Sequence, residues 1–224
     1  EMSRLENEKK TDGNPEFVPE YGKEREETTE TIDFSQLIRE VLDIMSIQAS
    51  NAGIALTHTS EDNGEKWPLV IGNPVQLREI FLNIVGNAVK YNKPGGKIDW
   101  QDAMSYTEET GVLYKCSIAD TGIGMDKEFL QHIFEPFSQE KTDARTVYQG
   151  TGLGMSIVKT LVERMDGKIT IDSEPGKGST VCIAIPFEIS QKPLCREKAA
   201  DTKDDKTLTD RKILLVEDND LNLE

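Results

Sequence analysis

Four short polar and glycine-rich segments recur in fixed order between apolar stretches, and any fold of this chain must give each of them a place. They read Asn83-Ile-Val-Gly-Asn87-Ala-Val-Lys90-Tyr91, Asp120-Thr-Gly122-Ile-Gly124, Gly150-Thr-Gly152-Leu-Gly154 and Gly176-Lys-Gly178-Ser179. Each falls where a helical or strand pattern begins or ends. Their order and spacing suit one shared cavity better than four separate surface loops.

The flanking patterns say which elements carry them. Asn73-Pro74 predicts a helix start, a capping Asn followed by Pro at the first helical position. Leu77, Ile80, Phe81, Ile84, Val85 and Ala88 then form one apolar stripe, and the helix is expected to stop near Asn92. Glu79, Asn83, Asn87 and Lys90, at steps of four, four and three, share a face beside that stripe. An earlier helix follows Asp33, with Phe34, Leu37, Ile38, Val41, Leu42 and Met45 at helical spacing and Gly53 ending it. Strands are expected over 54–58, 69–71, 97–106, 112–119, 168–173 and 179–187, with a short helix over 127–132. A further amphipathic helix runs from Leu153 to about Met165. Helices and mostly antiparallel strands around one core predict an α+β two-layer sandwich.

The residue types point to nucleotide chemistry. Amide oxygens can complete the shell of a Mg2+ ion otherwise held by phosphates and water, and Lys90 offers a point charge to phosphate oxygens. A pocket carboxylate such as Asp120 can accept a hydrogen bond from the adenine amine, with glycines at 122 and 124 letting backbone approach the base. Gly150-Thr-Gly-Leu-Gly154 opens a helix, where free N–H groups suit phosphate oxygens. It lacks the Lys of a Walker A loop and the preceding strand of a Rossmann fingerprint. Residues 138–149 hold few apolar side chains and read as a loop, with Lys141 and Arg145 as its cations.

The ordered segments, with Ile133-Phe-Glu-Pro-Phe137 between the second and third, resemble the ATP-binding catalytic domain of bacterial sensor histidine kinases, within the GHKL superfamily of gyrase, Hsp90 and MutL relatives. The resemblance spans residues 32–189 and sharpens the fold to the Bergerat type. It implies ATP and Mg2+ as cofactors. Asn87 is then a metal ligand and Asn83 a supporting metal or phosphate contact. Lys90 contacts phosphate, Tyr91 lines the nucleotide, and Asp120, Gly122 and Gly124 read the base with help from the Ser179 hydroxyl. Gly150, Thr151, Gly152, Leu153 and Gly154 cradle phosphates. The loop over 138–149 becomes a lid, with Arg145 reaching the γ-phosphate and Phe134 and Phe137 anchoring it apolarly. Many relatives carry Arg shortly after Phe-Glu-Pro-Phe, where this chain has Ser138-Gln139.

Hydrolytic relatives carry a Glu general base where this chain has Asn83, and an amide cannot take a proton from water at neutral pH. The resemblance therefore implies transfer of the γ-phosphoryl group to a histidine, with Asn87, Lys90 and Arg145 as the catalytic set. A GHKL-type ATPase using Glu79, or a nucleotide-binding module without transfer, are the alternatives. His58 and His132 are the histidines of the chain. Neither stands in a Ser-His-Glu helical context, so both read as structural and the acceptor belongs elsewhere.

The flanks fit a hybrid kinase of a phosphorelay. Residues 1–10 resemble the tail of a dimerisation and phosphoacceptor helix, 11–31 and 190–210 read as linkers, and 211–224 resemble the truncated start of a receiver domain. The expected partners are that phosphoacceptor histidine domain and the receiver, with a monomeric fragment from a homodimeric parent. A net charge of -15 argues against nucleic acid, whose affinity needs clustered Lys and Arg. No run approaches the ~20 apolar residues of a membrane span, and no signal peptide is read, so a cytoplasmic domain is expected, which leaves membrane anchoring of the parent protein open. Cys116, Cys182 and Cys195 show no metal-ligand spacing, and Cys116 and Cys182 are expected as small core residues.

Overall fold

The computed structural model describes residues 29–61, 66–107, 111–138 and 151–192. Outside them lie the segments read as helix tail and receiver start, nearly all of both linkers, Cys195, and Lys141, Arg145 and Gly150 of the loop. The chain runs β1 (Glu30–Ile32), α1 (Phe34–Asn51), β2 (Ala55–Glu61), β3 (Val70–Gly72), α2 (Pro74–Lys90), β4 (Lys97–Tyr106), β5 (Gly111–Asp120), α3 (Lys127–His132), α4 (Gly154–Arg164), β6 (Lys168–Glu174) and β7 (Gly178–Ile189).

The strands form one seven-stranded sheet in the order β1-β3-β7-β5-β4-β2, with β6 also on β7. The long β7 serves two neighbours on one side: Gly178 to Ala184 pair with β6, and Glu188 and Ile189 pair with β3. Every pairing is antiparallel except β2 with β4. The expected α+β two-layer sandwich is therefore the observed one.

Period-two patterning decides which sheet face meets the helices. Ile98 and Trp100 on β4, Tyr114, Cys116 and Ile118 on β5, and Ile183, Ile185 and Phe187 on β7 are buried beneath the stripes of α1, α2 and α4. Phe34, first residue of α1, packs its ring 4.4 Å from Tyr114 and 5.3 Å from Phe187, centroid to centroid. Two caps hold the helix starts: Asp33 accepts from Gln36 N at 3.1 Å, and Asn73 from Val75 N and Gln76 N. Among the described residues no helix is long and apolar enough to cross a membrane.

Two expectations need correction. Glu30 and Thr31, read as the end of a linker, pair with Gly72 and Ile71 as β1; three residues are too few to show strand periodicity. Cys182 is exposed, because its neighbours Val181 and Ile183 take the opposite face of β7. Cys116 is buried, and burial pushes its thiol up to about 12.

The histidines differ from one another. His58 Nε2 lies 3.0 Å from Oδ2 of Asp102, whose side chain is fully buried, and its ring stands edge-on to Trp100. The His132 side chain is 52% exposed, so it is not a core residue. It sits on the surface 2.8 Å from Glu135, whose hydrogen bond and charge raise its pKa.

Candidate functional site

The apolar stripe of α2 presses one side of the helix onto the sheet, which turns the adjacent polar face along a cleft toward α4. Asn83, Asn87, Lys90 and Tyr91 from α2 line a cavity of about 410 Å³, together with Asp120, Gly124, Thr151, Gly152, Gly154 and Ser179. That volume lies in the range of small-ligand pockets. Ten expected contact residues thus converge from four separate segments. Gly122 and Leu153 are not among the lining residues. Gly122 instead stands behind the wall, donating its N–H to Asp120 Oδ1 at 2.7 Å, while the Leu153 carbonyl accepts from Ile157 N within the first turn of α4.

Asp120 ends β5 and lines the cavity. Burial raises its carboxyl above the ordinary range, and hydrogen bonds from the N–H groups of Gly122 and Ser179 pull in the opposite direction. Ser179 therefore contributes its backbone to Asp120, while its hydroxyl lies 3.0 Å from that of Ser173. The glycines let these backbones touch. At Gly124, φ +66, a Cβ would strike the Glu174 carbonyl; at Gly178, φ +98, it would strike the carbonyl of Asp120.

Another wall of the cavity is built from α2 and α4. Gly154 approaches so closely that a Cβ there would sit 2.8 Å from Asn83 Oδ1. Asn83 Nδ2 donates to the Glu79 carbonyl at 2.8 Å, which leaves Oδ1 as the atom facing Gly154. The N-cap residue of α4, Leu153, makes no side-chain cap hydrogen bond, and N–H groups at such a helix start suit an anion. Lys90 Nζ stands 4.9 Å over the Tyr91 ring. Glu79 is exposed and does not line the cavity.

The donor set suits a hard cation that arrives on phosphates. Among the described residues no group of three or more His, Cys, Asp or Glu could cage a metal ion. The amide oxygen of Asn83, with Asn87 one turn further on, offers the neutral oxygen ligands that Mg2+ accepts beside phosphate and water.

Several lining residues escaped the sequence reading. Ile118, Val181 and Ile171 are cross-strand partners on β5, β7 and β6 and make an apolar floor. Two-residue alternation back from Asp120 would have found Ile118. Ile123, Met125, Phe129, Ile133 and Met155 form the rest of the apolar lining with Ile84 and Ala88. Phe134 is partly buried against the core, with Lys159 Nζ 5.3 Å over its ring. Phe137 is 73% exposed at φ 63, so it does not anchor apolarly as expected. Gly152 packs on the Phe137 backbone instead, at distances only glycine tolerates.

Residues 72–189 match the family model of histidine kinase-, DNA gyrase B-, and HSP90-like ATPases. The autoinducer 2 sensor kinase/phosphatase LuxQ of Vibrio parahaemolyticus is 32% identical over 84% of this chain and 22% of its own length. The sensor histidine kinase GacS of Pseudomonas protegens is 34% identical over 68% of this chain and 16% of its own. The chain thus spans about a fifth of the length of such relatives. Full-length ShkA, solved in complex with AMPPNP, aligns at 30% identity and TM-score 0.58 over 75% of this chain and 33% of its own. The catalytic domain of histidine kinase ThkA aligns at 25% identity and TM-score 0.58, covering 72% of this chain and 97% of that domain.

Proposed function

The chain belongs to the family of histidine kinase-, DNA gyrase B- and HSP90-like ATPases, and from that premise we propose that it binds ATP with Mg2+ and transfers the γ-phosphoryl group to a histidine presented by a separate domain. The observation that carries this reading is the shared cavity. The Asp120 carboxylate, two amides and a lysine share its lining, and Gly154, at an uncapped helix start, opens onto it.

Each group has a task. The Asp120 carboxylate accepts from the adenine amine and so distinguishes a 6-amino from a 6-oxo base. Ile118, Val181 and Ile171 supply an apolar surface for the base. Lys90 and the N–H groups opening α4 neutralise and orient phosphate oxygens. Bound Mg2+ would supply charge neutralisation at the phosphates, with Asn83 and Asn87 as its protein ligands. Catalysis in such a site is positioning and electrostatics more than covalent chemistry. In this reading Arg145, which lies outside the described residues, is the cation that contacts the γ-phosphate.

Transfer is favoured over hydrolysis by one feature of α2. Its inward amide, Asn83, cannot take the proton of an attacking water, and the Glu79 carboxylate one turn earlier is exposed outside the cavity lining. The rest of the proposal concerns the wider protein. Residues 1–10 belong in this reading to a dimerisation and phosphoacceptor domain and 211–224 to a receiver domain, the full-length protein is a homodimer, and this domain is cytoplasmic.

The test mixes the chain with γ-labelled ATP, Mg2+ and a helical domain bearing the acceptor histidine. Acid-labile, base-stable label on that domain is the expected result, and Asn87→Asp abolishes it. Steady phosphate release that disappears in Glu79→Gln would replace transfer with hydrolysis.

A further inference from the structure

The end of α2 and the end of β5 are joined by a closed ring of hydrogen bonds outside the cavity. Asn92, only 7% exposed, donates from Nδ2 to the Lys97 carbonyl at 3.0 Å and accepts at Oδ1 from Lys93 N at 3.0 Å. The Thr121 hydroxyl donates to the same Oδ1 at 3.2 Å and accepts from Lys97 N at 2.9 Å. Thr121 N closes the ring by donating to the Lys97 carbonyl at 3.1 Å. A Cβ on Gly96 would strike Asn92 Oδ1, so glycine there is part of the same device.

Asn92 and Thr121 directly follow two lining residues, Tyr91 at the close of α2 and Asp120 at the end of β5. The same helix α2 carries Asn83, Asn87 and Lys90. We infer that Asn92 and Thr121 are positioning residues that hold the base-reading carboxylate and the phosphate-side amides and lysine at a fixed span. This rests on the nucleotide-binding reading above and adds the part that sets its geometry. A ligand gripped at both ends gains over one gripped at a single end only while the two grips stay one ligand-length apart. Loosening the ring erodes that gain and leaves each grip intact.

The experiment uses the whole 224-residue chain as parent, Thr121→Val and Thr121→Ser. Mg-ATP affinity is measured by calorimetry and adenosine affinity by NMR titration, with thermal unfolding of each chain without ligand. Valine keeps the shape and removes the hydroxyl; serine restores the hydroxyl. Thr121→Val is expected to weaken Mg-ATP about five- to tenfold, the effect of one net hydrogen bond. Adenosine affinity should change by less than about twofold, and Thr121→Ser should return Mg-ATP to within about twofold of the parent. Equal losses for both ligands, unchanged Mg-ATP binding, or failed rescue by serine would remove the positioning role and leave the nucleotide reading standing. A parent that binds Mg-ATP but shows no shift with adenosine also overturns it, since the ring is held to join two working grips. A parent that binds neither overturns both inferences together.

Discussion

Gly124 and Gly176 both have left-handed backbones, with φ +66 and +77, yet only one of them is crowded. A Cβ on Gly176 meets nothing within 4 Å, whereas one on Gly124 lands on the Glu174 carbonyl. Gly176→Ala should therefore cost only the left-handed penalty, about 1–2 kcal/mol. Gly124→Ala pays the same penalty and must also push back a strand end. Overpacking of that kind adds about 1–3 kcal/mol, for a total near 2–5 kcal/mol. The Glu174 carbonyl also accepts from Lys177 N at 3.0 Å, so moving it disturbs the turn that delivers Ser179 to the cavity. Urea denaturation measures the two losses, and calorimetry with magnesium nucleotide measures the consequence for binding. Gly124→Ala should lose more stability and bind nucleotide more weakly, while Gly176→Ala keeps its affinity within about twofold, as a change in conformational strain alone implies. Equal stability losses would refute the argument that close backbone approach is what the glycine at 124 provides.

The raised pKa of Asp120 sets a pH dependence with a definite sign. Its folded carboxyl holds a proton more tightly than the unfolded one, so ionisation costs stability as pH rises through the folded value. On the proposed nucleotide reading, protonation on acidification removes the acceptor for the adenine amine. Nucleotide affinity should thus begin to fall above the ordinary carboxylate range, and the fall should be absent in Asp120→Asn, read by calorimetry across mildly acid pH. A separate prediction concerns the core. His58→Ala leaves Asp102 Oδ2 with only the Tyr114 hydroxyl, at 3.3 Å. Denaturation should show a loss of about 1–3 kcal/mol, the cost of an under-satisfied buried acceptor, with nucleotide affinity unchanged because His58 lies outside the cavity.

Most of this fold was legible because its elements announce themselves locally. Asn73-Pro74 starts a helix by capping chemistry, and the β4, β5 and β7 runs are long enough for period two to show. The candidate site was legible for the same reason at Asn83, Asn87, Lys90 and Asp120, whose residue types are costly to explain as plain surface or core. What escaped was of two kinds. β1 is three residues long and owes its existence to a partner strand forty residues away in the chain, Val70–Gly72, so no local pattern encodes it. Asn92 escaped for a subtler reason. As a helix-ending Asn before Pro94 it satisfies every local rule, and nothing in its immediate sequence says that Thr121 and Lys97 will complete its hydrogen bonds. A polar side chain that already has a local explanation draws no further question, although burial at 7% means its partners must be found somewhere. Residues that contact a ligand betray themselves by chemistry, whereas those that hold the contacts at the right separation look like ordinary turns until long-range pairing is known.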